Sequence, residues 1–238
     1  MKIIRNTEEL KSLLDPIKSS LGSIGLVLTM GSIHEGHLSL IKKAKSNNKF
    51  VITSIFVNPT QFNNNNDYLS YPKTLDKDIT KLKSLNCDLL YLPSVDEIYP
   101  KGLITERTIL KYRNILCDLA RPGHFDGVTT VVNTFFNIIQ PKSSYFGEKD
   151  YQQMKLIREL VRIKKLNINI VACSSIRDKN GMSLSSRNSN FTSSQYKIFE
   201  SFAKIMNQFV KNLKQKNLEA NFDELKEELL KININKID

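Results

Sequence analysis

Residues 24–45, IGLVLTMGSIHEGHLSLIKKAK, change their hydrophobic pattern within twenty-two positions, and that change decides the fold. Residues 26–29 are a short apolar run that reads as a buried strand. MGSIHEG is turn-prone, and residues 38–45 repeat apolar groups at helical spacing with Leu38, Ile41 and Ala44 facing inward. The unit is strand, glycine-bearing turn, helix. It recurs along the chain: strands are expected over 50–57, 89–92, 144–146 and 168–173, and helices over 75–85, 128–139 and 151–164. Strands alternating with helices predict an α/β fold with a doubly wound parallel sheet, binding its ligands at the carboxyl ends of the strands. Upstream, Asn6 followed by Glu9 resembles a capping box opening a helix through Leu10, Leu13, Leu14 and Ile17. Asn63, Asn64, Asn65 and Asn66 read as a surface loop. After Ser174 the pattern becomes a polar loop and then helical periodicity from Ser193 onward. The division expected is therefore a first domain over 1–174 and a small second domain over 175–238.

The 238 residues, 40% of them hydrophobic, suffice for a sizeable core. No apolar run approaches the roughly 18 to 20 residues a membrane helix needs, and MKIIRNTEELKSLLD lacks the apolar region of a secretory signal. No membrane partner and a cytoplasmic location are expected. Cys87, Cys117 and Cys173 are odd in number and contain no CxxC pair, so they are expected to be reduced and buried rather than bridged or zinc-bound. The formal charge of +11 favours anionic partners without choosing among them. In the last quarter lysines alternate with carboxylates, which suits a solvated helical face better than a nucleic-acid groove.

Three polar clusters fall where the fold puts strand ends. The first is Met30, Gly31, Ser32, Ile33, His34, Glu35, Gly36 and His37. Its glycines allow a tight turn and close approach to a ligand, and the helix that follows offers N–H groups suited to phosphate. His34 and His37 lie three apart and can donate to the same phosphate oxygens. A metal pair is the competing account, but only Glu35 is near, and it points elsewhere on the helix. The second is Asn58-Pro59-Thr60-Gln61-Phe62, whose neutral amides suit a substrate bearing hydroxyl and carboxylate groups. The third is Tyr145, Phe146, Gly147, Glu148, Lys149, Asp150, Tyr151, Gln152 and Gln153. A lysine in the first turn of a helix opposes the dipole, and an anion beside Lys149 accounts for it. Residues 178–188 form a flexible loop with hydroxyls and one guanidinium, able to close over a triphosphate.

Together TMGSIHEGHLSL, SIFVNPTQF, YPKTLDKD, EIYPKG, RPGHFDGVTTVVN, YFGEKDYQQ and LSSRN resemble the pantothenate synthetase (pantoate-beta-alanine ligase) family of the HxGH nucleotidyltransferase superfamily, in order and approximate spacing. The resemblance implies a Rossmann-like fold and an ATP-dependent ligase that joins pantoate to beta-alanine through a pantoyl-adenylate, releasing pyrophosphate and then AMP. It assigns Met30 through His37 to ATP, with His34 and His37 on the phosphates and His37 as proton donor. Gly147, Glu148, Lys149 and Asp150 hold the nucleotide, Ile176 touches adenine, and Leu184, Ser185, Ser186 and Arg187 form the phosphate loop. Catalysis is placed on His37, His34, Lys149 and Arg187. Gln61 and Gln153 hold pantoate, joined by Asn58 at the acid site, and Arg121 lies near the nucleotide. Asp78 is an outer-sphere partner for Mg2+, and a homodimer is implied.

The sequence departs from the family pattern at Thr134, where a lysine is usual, and at Cys117-Asp118, where Glu-Gly is typical. The resemblance also implies a C-terminal domain shortened relative to the family. Two rival readings remain. An RNA-acting class I synthetase fragment would carry a KMSKS-like loop, where this chain has LSSRN; an inert binding module would not need every candidate site residue.

Overall fold

The computed structural model describes residues 1–216 and 222–234. The elements run β1 (Lys2–Ile4), α1 (Thr7–Leu21), β2 (Ile24–Thr29), α2 (Glu35–Asn47), β3 (Phe50–Ile55), α3 (Asn65–Leu69), α4 (Leu75–Ser84), β4 (Leu89–Tyr91) and α5 (Val95–Ile98). They continue with α6 (Cys117–Ala120), α7 (His124–Ile139), β5 (Ser143–Gly147), α8 (Tyr151–Ile163), β6 (Asn169–Cys173), α9 (Ser193–Lys216) and α10 (Phe222–Lys231). The strands form one parallel sheet in the order β1-β4-β3-β2-β5-β6. From β2 the chain moves to β3 on one side, and β5 lies on the other. The order therefore reverses between β2 and β5, the place where a doubly wound sheet binds ligands at the carboxyl ends of its strands.

Alternation of side chains puts successive strand residues into different cores. Leu26, Ile52 and Leu89 enter one apolar cluster with residues of α1, α7 and α8; Val27, Val51 and Leu90 enter the other with residues of α2 and α4. All six are fully buried, and each such side chain contributes about 2 kcal/mol of transfer free energy. Burial on both faces explains why β2 and β3 read as continuous apolar runs.

Several local expectations need correction. β1 was not anticipated, because three residues are too short to display a period; its register on β4 comes from Ile4, buried among α1 and α7 side chains. Asn6 does cap α1, accepting from the N–H groups of Glu8 and Glu9 at 2.9 Å. The reciprocal half of a capping box is absent, since Glu9 pairs with Lys2 and a carboxylate from α5, Glu97, takes the Thr7 N–H at 2.7 Å. The asparagine run is exposed, but Asn64 caps α3, which begins at Asn65. Helix α7 starts at His124, four residues before the expected position, because Gly123 adopts the left-handed conformation that lets the chain turn into it. The three cysteines are free, yet only Cys87 is buried; Cys117 is exposed on the single turn of α6.

The chain divides into two compact units, Met1–Ser175 and Ile176–Asp238. In the second, residues 178–188 are more built than a flexible loop. The Asp178 carboxylate accepts from the N–H groups of Asn180 and Met182, each at 2.9 Å, and from the Tyr196 hydroxyl at 2.5 Å. These bonds, the tyrosine hydroxyl foremost, hold its pKa below the ordinary value. Helices α9 and α10 follow, and the expected helical periodicity over 217–221 and 235–238 lies outside the described residues. Among the described residues no helix is long and apolar enough to cross a membrane.

Candidate active site

At the carboxyl end of β2 the chain must leave the sheet and enter α2 within five residues. Thr29 anchors the exit, donating to the Ser54 carbonyl at 2.8 Å and accepting from Gly31 N–H at 3.2 Å. Gly31 and Ser32 then take positive φ of 84° and 51°, a sharp reversal that costs Ser32 about 1 kcal/mol or more. Asp78 on α4 is what stabilises it. Its buried carboxylate accepts from Ser32 N–H at 2.9 Å, from Ile33 N–H at 2.7 Å and from Thr74 Oγ1 at 3.2 Å. Both Asp78 oxygens thus serve the turn.

His34 is the N-cap of α2. Its Nδ1 accepts from Gly36 N–H at 3.1 Å, and His37 Nδ1 accepts from His34 N–H at 3.3 Å. Each ring therefore uses Nδ1 as an acceptor, and the proton of the neutral form sits on Nε2. The rings lie 4.0 Å apart. Burial, then the ammonium groups of Lys149 and Lys81, hold His34 below its ordinary pKa. Burial first, then His34, Lys149 and Lys81, lower His37 to about 3. The pair is neutral near pH 7 and presents two Nε2–H donors with fixed tautomers. Gly36 has another reason than ligand approach: a Cβ there would sit 2.8 Å from the His34 ring, so the glycine makes room for the cap. Glu35 is exposed, and its carboxylate only partly offsets the lowering of His34.

The second cluster joins the first directly. Gln61 ends a 3-10 turn, Pro59–Gln61, and its amide donates to Met30 Sδ at 3.3 Å while accepting from Asn58 at 3.1 Å. Asn58 is buried with both ends engaged: it donates to Gln61 and to the Gly127 carbonyl and accepts from Thr60 and from the Tyr99 hydroxyl at 2.7 Å. Its amide therefore has both donors and its acceptor oxygen engaged within the turn and its neighbours. A Cβ on Gly127 would meet the Thr60 carbonyl at 2.5 Å, so the glycine lets α7 approach this turn. Arg121 reaches the Gln61 carbonyl at 3.5 Å and His124 Nδ1 lies 2.7 Å from the same oxygen, placing Arg121 beside the Gln61 turn.

Gly147 closes β5, and a 3-10 turn, Glu148–Asp150, follows it into α8. Lys149 is exposed, 3.7 Å from Asp150, and its charge reaches both histidines. Gln153 is half-buried in the first turn of α8. Its neighbour Gln152, part of the same cluster but given no role there, has a structural task. It donates to the Tyr112 and Ile115 carbonyls and accepts from Cys117 N–H at 3.0 Å, tying the 112–117 segment to α8. In that segment the departure at Asp118 finds its reason. Arg113 is buried against Asp118 at 3.5 Å and Asp126 at 2.5 Å, and Asp118 also accepts from Asn114 N–H. Thr134 only donates to the Thr130 carbonyl one turn back. Lys81, also missed, donates to the Ile33 carbonyl; nothing in a lysine two turns into an amphipathic helix marks it in sequence.

Ile176, Leu184, Ser185, Ser186 and Arg187 belong to the second unit. Leu184 N–H bonds the Ile176 carbonyl at 3.0 Å, and Ser185 caps the 3-10 turn Ser186–Asn190 through the Arg187 N–H.

A family model described as pantoate-beta-alanine ligase matches residues 2–238. A pantothenate synthetase of Francisella tularensis subsp. novicida is 47% identical over 209 residues, which are 87% of this chain and 80% of that protein. One from Thermosipho africanus is 46% identical over 188 residues, 79% of this chain and 68% of the relative. Among solved structures, a Francisella tularensis pantoate-beta-alanine ligase complexed with beta-gamma ATP and beta-alanine superposes with a TM-score of 0.86 at 43% identity, covering 100% of this chain and 90% of that one. A pantothenate synthetase from Thermus thermophilus gives 0.86 at 33% identity, covering 98% and 82%.

Proposed function

Because the chain belongs to the pantoate-beta-alanine ligase family, its reaction is the ATP-dependent joining of pantoate to beta-alanine, and we propose that it proceeds through a pantoyl-adenylate formed at the carboxyl ends of β2 and β5. The observation that carries this reading is the tautomer-fixed, neutral His34–His37 pair capping α2, with Lys149 facing it and the Gln61 amide against Met30. Two Nε2–H donors and an ammonium can stabilise charge developing on the phosphates as the pantoate carboxylate attacks the α-phosphorus. Holding acid and nucleotide at either end of the same short turn supplies the proximity. Pyrophosphate leaves; the beta-alanine amine then attacks the acyl carbon and AMP leaves. In this reading Gln61 and Gln153 select the acid. Met30 through His37, with Gly147 through Asp150, hold the nucleotide. Ile176 and Leu184 through Arg187, in the second unit, serve the adenine and phosphates.

Magnesium does not fit as a resident ion of the described residues. No group of three or more His, Cys, Asp or Glu converges among them, and the Asp78 oxygens are occupied by backbone N–H groups. An ion carried on the nucleotide's own phosphates is the form consistent with this chain. The free cysteines suit a reducing cytoplasmic setting.

The half-reactions separate experimentally. ATP, magnesium and pantoate without amine should give a burst of pyrophosphate and then a stall; adding beta-alanine should restart turnover with AMP as product. Release that ignores pantoate would sink the adenylate reading. Gln153→Ala should weaken pantoate binding by about tenfold while leaving ATP within about twofold, since one lost hydrogen bond to a charged group is worth roughly 1.5–3 kcal/mol. Equal losses in calorimetry would contradict the assignment.

The same reading includes a homodimer. Leu103, Ile104, Leu110, Ile115, Leu116 and Leu119 are exposed within one segment, 103–119, Leu110 at 77% and Leu119 at 70%, and exposed apolar groups of this size favour association. Light scattering should find a dimer for the parent protein and a monomer for Leu110→Glu/Leu119→Glu. A parent that is monomeric, or a variant that still dimerises, would refute this surface.

A further inference from the structure

Lys81 brings a cation to a point where the local backbone charge is already positive. Its ammonium donates to the Ile33 carbonyl, one residue before the N-cap of α2, so it stands at the positive end of that helix dipole. No carboxylate among the described residues forms an ion pair with it. Lys149 adds a second positive charge to the same pair of histidines, and both lysines press His34 and His37 toward neutrality. An α2 N-terminus flanked by two ammonium groups repels itself unless a polyanion fills it.

Lys81 and Asp78 lie three apart on α4 and grip the same peptide from both ends. Asp78 accepts the Ser32 and Ile33 N–H groups, and Lys81 donates to the Ile33 carbonyl. A mere clamp is already supplied by Asp78. The lysine adds a charge, with two further N–H groups beyond the one the carbonyl takes. The direction of the turn says which part of the ligand meets it. Gln61 marks the acid end of the site at Met30, whereas Lys81 is at the Ile33–His34 end. A nucleotide whose α-phosphorus faces the acid therefore runs its outer phosphates toward Lys81.

We propose that Lys81 is a further catalytic residue, binding the β- and γ-phosphates of ATP and stabilising the pyrophosphate as it leaves. The bond that breaks is α-phosphorus to bridging oxygen, and the electron pair stays on pyrophosphate, whose added negative charge the ammonium meets. The assignment rests on the adenylate reading above.

The test uses the full chain and the variants Lys81→Gln, Lys81→Met and Lys81→Arg. Glutamine retains a donor for the Ile33 carbonyl but loses the charge; arginine keeps both; methionine loses both. The expected result is that Lys81→Gln and Lys81→Met behave alike. Pyrophosphate and ATP should bind about tenfold weaker by calorimetry, and pantoate-dependent pyrophosphate release should slow on the order of 100-fold. AMP and pantoate affinities should be unchanged, and Lys81→Arg should restore most of the rate. If Lys81→Gln matches the parent while Lys81→Met fails, the residue is only a clamp and the proposal is overturned. Equal weakening of AMP and ATP overturns it too. A parent enzyme that releases no pantoate-dependent pyrophosphate would instead refute the adenylate reading itself, so the two failures are distinguishable. Should Lys81→Met unfold, Lys81→Gln and Lys81→Arg still decide.

Discussion

His37→Ala is expected to lower the rate of adenylate formation by about 100-fold to 1000-fold, the usual cost of removing one preorganised donor aimed at developing charge. The side chain is partly exposed and stands outside both apolar clusters. Its one native bond, to the His34 N–H, can be replaced by water, so the fold should survive. The loss should therefore appear in pyrophosphate release and not in the melting curve. The pH profile offers an independent check. With its pKa lowered to about 3, His37 does not gain a proton near neutrality, and the parent rate should show no limb near the ordinary histidine value of 6.5 from this residue. The sign for stability is the reverse of a histidine that gains an anionic partner. The unfolded chain binds a proton as pH falls through 6.5 while the native ring stays neutral, so the native state loses stability from there down toward pH 3. His37→Ala should lose less stability over that interval. A variant with near-parental turnover would remove His37 from the chemistry, and an acid loss of stability identical in parent and variant would contradict its lowered pKa.

Asp78→Ala carries the second large effect, and here stability and rate should fall together. Two buried N–H groups, on Ser32 and Ile33, lose their acceptor, and leaving each unsatisfied costs about 1–3 kcal/mol, or roughly 3 kcal/mol for the pair after relaxation. The strained Ser32 conformation would then relax, and with it the N-cap that aims both histidines. Urea denaturation should report the loss, and adenylation should drop by more than tenfold. Asp78→Asn should be nearly as damaging, since an amide nitrogen would confront one backbone donor. A carboxylate whose role was to hold magnesium would behave otherwise: the variants would melt like the parent, and excess magnesium would recover their activity. That outcome would overturn the structural role.

The succession of strands and helices was legible because burial on both faces of a parallel sheet leaves long apolar runs that a single sequence displays. The HxGH turn, the VNPTQF turn and the GEKDYQQ turn were legible as candidate sites because polar residues and glycines stand at strand ends, where a doubly wound fold binds ligands. What the residues contribute to one another was not. Gly36 reads as a residue for ligand approach until the His34 ring is seen over it; Asn58 reads as a substrate amide until its hydrogen bonds are found filled by Gln61, Gly127, Thr60 and Tyr99. Asp78 and Lys81 lie over forty residues from the turn they hold, and no local pattern encodes a contact made by packing α4 against it. Sequence alone determined the order of elements and the chemical types present at the strand ends, because periodicity and turn chemistry are local. The tertiary structure decided the histidine tautomers, their neutrality, and which carboxylate and lysine serve the backbone of the turn, because those follow from burial and from charges brought together across the fold.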